Sequence, residues 1–211
     1  MKRLLTISFV FGLLFCCGIS ADAQGERMFD ITSEVEPKHS FVSVSTNLLC
    51  DAVLIPNLGL EFNIYDNWTL SVNGMWAWWT KQDISWFWRI YGGEVAVKKY
   101  FGRRSLNRSM TGHHLGVYGQ VLSYDFEVGH FGRMSPDLSH GAGFEYGYSF
   151  PISNVFNIDL SLGVGYIGGR LYEYVENEGH YVWRATMQQL WFGPTKASVS
   201  LVWLIDSKKK R

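Results

Sequence analysis

Five charged residues recur on the polar sides of alternating segments, and they offer this sequence the most chemistry. They are Glu61, Glu94, Lys98, Glu145 and Asp159. Carboxylates and a lysine that face one another form charge-assisted hydrogen bonds, and such groups also relay protons or ions. If the strands close into a narrow barrel, side chains fill its interior. We therefore predict a structural network in which the five pair with each other, with Arg89 or with water, and a proton or ion path is the alternative.

The histidines give only weak signals for metal binding or hydrolysis. His113 and His114 are adjacent, so on a strand they face opposite sides and cannot bind one ion together. We predict that both are surface or turn residues. His140, His180 and many serines are present, but no nucleophile elbow or fixed spacing links them. The sequence therefore predicts no catalytic residue, metal site or cofactor.

The elements that carry these residues follow a two-residue alternation. It is clearest in residues 156–166, where the odd positions are Asn157, Asp159, Ser161, Gly163 and Gly165 and the even positions are large and apolar. A period of two places each set on its own face of a β-strand. The polar face is small and mostly uncharged, which suits a crowded interior, and the apolar face suits lipid. The pattern predicts an all-β fold, a transmembrane antiparallel up-and-down β-barrel.

Eight alternating segments can be laid along the chain, an even number as in bacterial single-chain barrels. They cover residues 41–50, 58–65, 68–79, 89–101, 115–121, 141–150, 156–166 and 197–203. Short turns are predicted at Asp66–Asn67 and Pro151–Asn154, and a longer basic turn at Gly102–Gly112. Irregular outer loops are predicted at residues 80–88, 125–139 and 168–189. Cys50 shares its parity with Val42 and is predicted to face outward.

Aromatic residues cluster near the predicted strand ends, where a membrane would have its two interfaces. The inner-end set is Trp68, Phe150, Phe156 and Trp203, and the outer-end set includes Trp76 and Trp78. Two aromatic girdles around an apolar band are expected of an outer-membrane barrel. A soluble β-sandwich, with these rings in its core, is the alternative.

The ends of the chain and its composition limit the class of protein to which it can belong. Lys2 and Arg3 precede an apolar run and the Ala21-Asp22-Ala23 motif, which predicts a signal peptide over residues 1–23, cleaved near Ala23. We predict a flexible periplasmic lead-in at residues 24–40, the barrel at 41–205 and a basic tail at 206–211. The 19 basic and 19 acidic residues cancel, so no field favours a nucleic-acid partner.

A resemblance to a known family adds to this interpretation. The stretches Thr46–Leu49, Pro56–Gly59, Glu61–Phe62 and Trp191–Lys196, with Trp68 and Val199–Trp203, resemble the domain-of-unknown-function family 3575 (DUF3575) over residues 40–205. The resemblance implies a small OmpA-like outer-membrane β-barrel of the Bacteroidetes. It implies no catalytic residue that could be carried over to this chain.

These observations predict an outer-membrane protein with a structural or interaction role and no catalysis. The role would be membrane integrity or surface recognition through the loops, and the resemblance suggests association with surface fimbriae. Outer-membrane lipid is the expected partner, with lipopolysaccharide or a surface-filament or cell-envelope protein as further candidates. An outer-membrane enzyme that modifies lipid is the alternative function.

Overall fold

The computed structural model of the chain describes residues 41–81, 86–128, 131–177 and 180–205. The predicted signal peptide, the lead-in and the basic tail lie outside these ranges. The described residues form nine strands and two short helices: β1 Val42–Asn47, α1 Leu48–Ala52, β2 Asn57–Tyr65, β3 Trp68–Lys81, β4 Trp86–Phe101, α2 Arg103–Asn107, β5 Gly112–Val128, β6 Phe131–Met134, β7 Ser139–Pro151, β8 Phe156–Asn177 and β9 His180–Ile205. None of the helices in this part of the chain is both long enough and apolar enough to cross a membrane.

Eight of the strands described pair into a closed antiparallel ring. The order is β1, β2, β3, β4, β5, β7, β8 and β9, and β9 returns to β1 with Ile205 opposite Val42. Each strand therefore lies beside its neighbour in sequence, apart from the short β6. The prediction of an antiparallel all-β fold with eight strands is confirmed. Strand β6 lies beyond the end of β7 and joins β5 to β8 there.

The two-residue alternation separates a polar interior from an apolar exterior. Inward positions are buried although most are polar, for example Ser43, Thr69, Ser71 and Asn157. Outward positions are apolar although they are exposed, and Phe144 reaches 72% exposure. Because the side chains of a strand alternate between its faces, this distribution follows directly from the sequence. The usual distribution, with apolar side chains buried and polar side chains exposed, is therefore reversed in this ring.

One end of the ring, which we call the turn end, has two short connections and one longer one. Asp66–Asn67 forms the predicted tight turn, and Asp66 adopts a left-handed φ of 51°. In the turn after β7, the backbone amides of Ile152 and Ser153 donate to the carbonyl of Phe156 at 3.0 and 3.1 Å. The turn at 102–112 is long, as predicted, and contains α2. Four buried side chains fill the interior at this end: Tyr100, Met110, Val202 and Leu204.

At the opposite end of the ring, which we call the hairpin end, the prediction of irregular loops was wrong. Strands β3 and β4 stay paired out to Lys81 and Trp86, and β8 and β9 stay paired out to Asn177 and His180. Most of residues 80–88, 125–139 and 168–189 is therefore paired strand. We call these three ranges the hairpin extensions. They lie beyond the ring, so their side chains do not follow the apolar alternation, whereas their backbone pairing needs no such pattern. Residues 82–85, 129–130 and 178–179 lie outside the described ranges.

The first predicted segment is also corrected at its end. Strand β1 stops at Asn47, whose side-chain oxygen accepts a hydrogen bond from the amide of Leu49 at 3.1 Å and caps α1. Cys50 is therefore helical and borders the interior, so the prediction that it faces outward from a strand was wrong. Burial, and to a smaller extent the charge of Asp51, raises the pKa of its thiol.

Candidate functional site

The five charged residues singled out in the sequence are all buried inside the ring. Lys98 Nζ lies 3.1 Å from Glu61 Oε2 and 3.9 Å from Glu145 Oε1. Strands β2, β4 and β7 supply these three residues, and each points inward because of its parity along its strand. One lysine therefore links carboxylates from two distant parts of the ring.

Lys196 of β9 completes this cluster and is not among the charged residues predicted to face inward. Its Nζ lies 2.5 Å from Glu94 Oε1 and 2.5 Å from Glu145 Oε2. A β-bulge opposite Gly163 and Val164 allows Thr195 as well as Lys196 to reach the interior, where Thr195 hydrogen-bonds with Tyr118. The shared parity of Lys196 with Ser198 and Ser200 was the available signal. We call Glu61, Glu94, Lys98, Glu145 and Lys196 the interior ion cluster.

Neutral donors add hydrogen bonds to two of the carboxylates in the cluster. Thr69 Oγ1 and Tyr100 Oη donate to Glu61 Oε1 at 2.6 and 2.9 Å. Asn73 Nδ2 donates to Glu94 Oε1 at 3.0 Å. Buried charges are tolerated when they are both paired and hydrogen-bonded. The cluster can therefore bind β2, β3, β4, β7 and β9 to one another across the interior.

Asp159 pairs with a histidine and not with the lysines. His114 Nε2 lies 2.9 Å from Asp159 Oδ1, and the His114 side chain is completely buried, its ring 5.0 Å from that of Tyr100. The prediction of a surface or turn residue was therefore wrong for His114. His113 faces the other side, as the strand parity predicts, and its Nδ1 lies 2.7 Å from Tyr146 Oη. Parity with Tyr118 could have identified His114 as an inward residue.

Glycines make room for large interior side chains such as Tyr118 and Gln120. A Cβ at Gly143 would lie 2.6 Å from Tyr118 Oη, and one at Gly141 would lie 3.2 Å from Gln120 Nε2. A Cβ at Gly147 would likewise collide with His114. These large side chains therefore depend on neighbouring glycines for the space they occupy.

A polar cavity of about 200 Å³ runs along the interior past the ion cluster, from Cys50 and Asn57 at the hairpin end to Tyr100 and Val202 at the turn end. Asn73, Gln120 and Lys196 line its wall, and Cys50 of α1 borders it. The segment after α1 is held across this end by two indoles, since Trp79 Nε1 donates to Leu54 O at 2.7 Å and Trp88 Nε1 donates to Val53 O at 3.0 Å. This volume accommodates several water molecules.

Arg89 does not join the interior ion cluster, so its predicted role there was wrong. It lies at the start of the hairpin extensions, where its Nη1 is 3.4 Å from Asp125 Oδ2. Tyr174 Oη donates to the other oxygen of Asp125 at 2.6 Å. Asp125 and Tyr174 were not singled out from the sequence, because they fall in segments that it predicts as loops.

The six aromatic residues assigned to two girdles all project from the outside of the ring. Trp68, Phe150, Phe156 and Trp203 lie toward the turn end, and the rings of Phe156 and Trp203 stack with centroids 6.3 Å apart. Trp76 and Trp78 lie toward the hairpin end and are 66% and 53% exposed. Large aromatic side chains therefore lie on the exterior toward both ends of the ring.

No group of three or more His, Cys, Asp or Glu residues within the described ranges is placed to hold a metal ion. The paired charges can share hydrogen bonds and protons, and they hold strands together.

Comparison with family models matches residues 11–205 to a family described as "Protein of unknown function (DUF3575)". The comparisons with curated proteins and with solved structures each found no match.

Proposed function

This chain belongs to the DUF3575 family, and we propose that it is a transmembrane β-barrel of the bacterial outer membrane with a structural or recognition role and no catalysis. The exposed apolar belt around the ring carries the proposal. Its aliphatic members come from β2, β3, β4, β5 and β8 and include Leu58, Leu60, Val72, Val95, Val97, Leu115, Val117, Leu160, Leu162 and Val164. Soluble monomers rarely expose an apolar patch of more than a few hundred Å².

The height of the belt agrees with a bilayer. On β3 the belt runs from Trp68 to Trp76, and both indoles are exposed. A membrane-spanning strand needs about 9–11 tilted residues, and amphipathic rings favour the two headgroup levels. Beyond the belt the exterior becomes charged, beginning with Arg89 and Asp125. The aromatic and charged residues thus mark two boundaries of an apolar layer.

The closed ring also meets the requirement that lipid places on the backbone. Every strand edge inside a bilayer must be paired, because no water is available to the amide and carbonyl groups. Pairing of β9 with β1 removes the last open edge of the eight-stranded sheet. In this proposal residues 1–23 are the cleaved signal peptide, and residues 24–40 and 206–211 lie in the periplasm.

The polar interior and the hairpin extensions suggest the role. The interior ion cluster joins strands and stiffens the wall, which suits a protein that contributes to membrane integrity. The extensions present aromatic and charged groups on paired strands, which suits recognition at the cell surface. Outer-membrane lipid or lipopolysaccharide would contact the belt, and a surface-filament or cell-envelope protein would contact the extensions.

The test substitutes an arginine on the belt and compares it with one on the extensions. Val117 and Val182 are similarly exposed, at 55% and 52%. In a bilayer we expect Val117→Arg to lower the free energy of unfolding by about 2–4 kcal/mol. Val182→Arg should change it by less than about 0.5 kcal/mol, the usual result at a water-facing site. Unfolding in urea from lipid vesicles measures both variants.

Two further observations separate the proposal from a soluble sandwich. The folded protein should run faster on an unheated denaturing gel than after boiling, because a fully paired ring resists detergent. N-terminal sequencing of the exported protein should begin at Gln24. Equal mobility of both samples, recovery from the soluble periplasm and equal effects of the two arginines would overturn the proposal.

A further inference from the structure

A cleft of about 440 Å³ lies between the hairpin extensions, away from the interior ion cluster. Strands β4, β5, β8 and β9 all contribute to its lining, which includes Phe87, Arg89, Asp125, Tyr174, Tyr181 and Trp183. The volume falls within the range of roughly 300–1,000 Å³ that is typical of small-molecule sites. If the proposed function is right, this cleft opens at the cell surface.

Two exposed aromatic rings form the open side of the cleft. Tyr181 and Trp183 are 53% and 64% exposed. Tyr181 is held in place by Phe87, with centroids 5.8 Å apart, and by the ring of Tyr174, which it meets edge-on at 5.5 Å. Aromatic faces carry partial negative charge. They therefore complement the slightly positive C–H face of a sugar ring.

The polar wall of the cleft is electrically balanced. Arg89 and Asp125 are the charged groups that line it, and they pair with each other at 3.4 Å. Arg89 also donates to Thr80 Oγ1 from Nε and Nη2 at 3.0 and 2.9 Å. With no surplus charge, the wall favours neither a phosphate nor a cationic peptide. Hydroxyl groups both donate and accept, so they suit a carboxylate beside a guanidinium.

The cleft is held by paired strands, which keeps its groups in a fixed arrangement. Strand β6 pairs with β5 and with β8 beneath the Tyr174 ring, which packs directly on Gly132. Arg133 and Glu173 join the same two strands β6 and β8 at 2.8 Å. A preorganised site loses little conformational entropy when a ligand binds. The paired strands therefore favour binding by the cleft.

We propose that this cleft binds a neutral oligosaccharide. A sugar ring stacks on Trp183 and Tyr181, and its hydroxyls meet Asp125 and Arg89. This inference rests on the proposed function, since it names the class of ligand that the surface-exposed extensions recognise.

The experiment uses the full mature chain folded in detergent and titrated by calorimetry. The probes are the hexasaccharides of glucose, mannose and N-acetylglucosamine, with inorganic phosphate and trilysine as charged probes. Trp183→Ala removes the proposed stacking platform. Trp191→Ala is the matched control, because Trp191 is also exposed on β9, at 51%, and does not line the cleft.

We expect at least one hexasaccharide to bind, with affinity reduced about tenfold or more by Trp183→Ala, equivalent to about 1.4 kcal/mol. Asp125→Asn should also weaken binding, and Trp191→Ala should not. Three results would overturn the inference: no binding of any hexasaccharide, equal effects of the two tryptophan variants, or stronger binding of a charged probe. If one of these results is obtained with a protein that is heat-modifiable and inserted in the membrane, only the inference about the cleft fails. If the protein is soluble, the proposed function fails as well.

Discussion

The ring interior and the hairpin extensions use the same kinds of ion pair in opposite surroundings. Inside the ring, Lys196 and Glu145 are 13% and 0% exposed at their side chains. On the extensions, Arg170 and Asp137 form a contact in which the side chains are 56% and 53% exposed. Burial therefore decides what a pair contributes, more than the residue types or the distance.

The physical reason lies in the solvent around each charge. A buried charge that loses its partner keeps its desolvation penalty and gains nothing in return. An exposed charge that loses its partner is hydrated instead, so exposed pairs contribute about 0–1 kcal/mol. The interior consequently depends on complete pairing, whereas an exposed pair of the extensions such as Arg170–Asp137 can be removed at little cost to stability.

The largest effect is expected when an interior cation is removed. Lys196→Met leaves Glu94 and Glu145 without their nearest cation, and we expect the free energy of unfolding to fall by about 3–5 kcal/mol. Arg170→Met on the extensions is the control and should cost less than about 1 kcal/mol. Urea unfolding from lipid vesicles, followed by tryptophan fluorescence, measures both. Adding Glu94→Gln and Glu145→Gln to Lys196→Met should recover part of the loss, and equal losses for Lys196→Met and Arg170→Met would contradict the comparison.

The next effect concerns space inside the ring. A Cβ at Gly143 would lie 2.5 Å from the carbonyl oxygen of Val164 and 2.8 Å from Gly165 Cα, neither of which can rotate away. We expect Gly143→Ala to destabilise the protein by about 1–3 kcal/mol. A Cβ at Gly119 would meet nothing within 4 Å, so Gly119→Ala should be neutral or slightly stabilising. The same unfolding assay compares the two variants, and equal losses of stability would argue against close packing around Gly143.

A glycine of the extensions sharpens the contrast. A Cβ at Gly132 would collide with the Tyr174 ring, which is a side-chain end that can swing aside. Gly132→Ala should therefore cost less stability than Gly143→Ala, but it should disturb the Tyr174 hydrogen bond to Asp125. Burial and this bond raise the pKa of Tyr174, so we expect the variant to lower that pKa toward its ordinary value. Tyrosinate absorbance during an alkaline titration, with Tyr174→Phe to assign the group, provides the measurement.

The smallest effect is expected at the exposed turn end. Lys99 donates to Asp66 Oδ2 at 3.0 Å, and this hydrogen bond lowers the pKa of the Asp66 carboxyl. A lowered folded-state pKa stabilises the fold at pH values above the ordinary carboxyl range, and this contribution is lost as the pH falls through the folded-state pKa. Lys99→Met should raise the Asp66 pKa toward its ordinary value, and Lys99→Arg should leave it low. Carboxyl NMR titration checks the shift, and an unchanged pKa in Lys99→Met would remove Lys99 as its cause.

The strand faces could be predicted because they depend on local geometry. Glu61, Glu94 and Asp159 were placed inside from parity alone, and the ring places them there. Helix α1 was not predicted because Leu48 and Cys50 continue the alternation of β1. The strand ends instead through hydrogen bonds of the Asn47 side chain, which accepts from Leu49 N and donates to Cys50 Sγ, and the alternation does not reveal these bonds. The hairpin extensions were not predicted as strands because pairing beyond the ring does not require an apolar face.

The amino-acid sequence by itself determined which side chains point into the ring and which point out, since a period of two is a property of each strand. Tertiary structure alone decided the partners. Lys196 and Glu94 are 102 residues apart along the chain, and only closure of β9 onto β1 and the bulge at Thr195 bring them together. Likewise, His114 meets Asp159 because β5, β7 and β8 pair in one particular register. Parity is local, whereas register and closure depend on the whole ring.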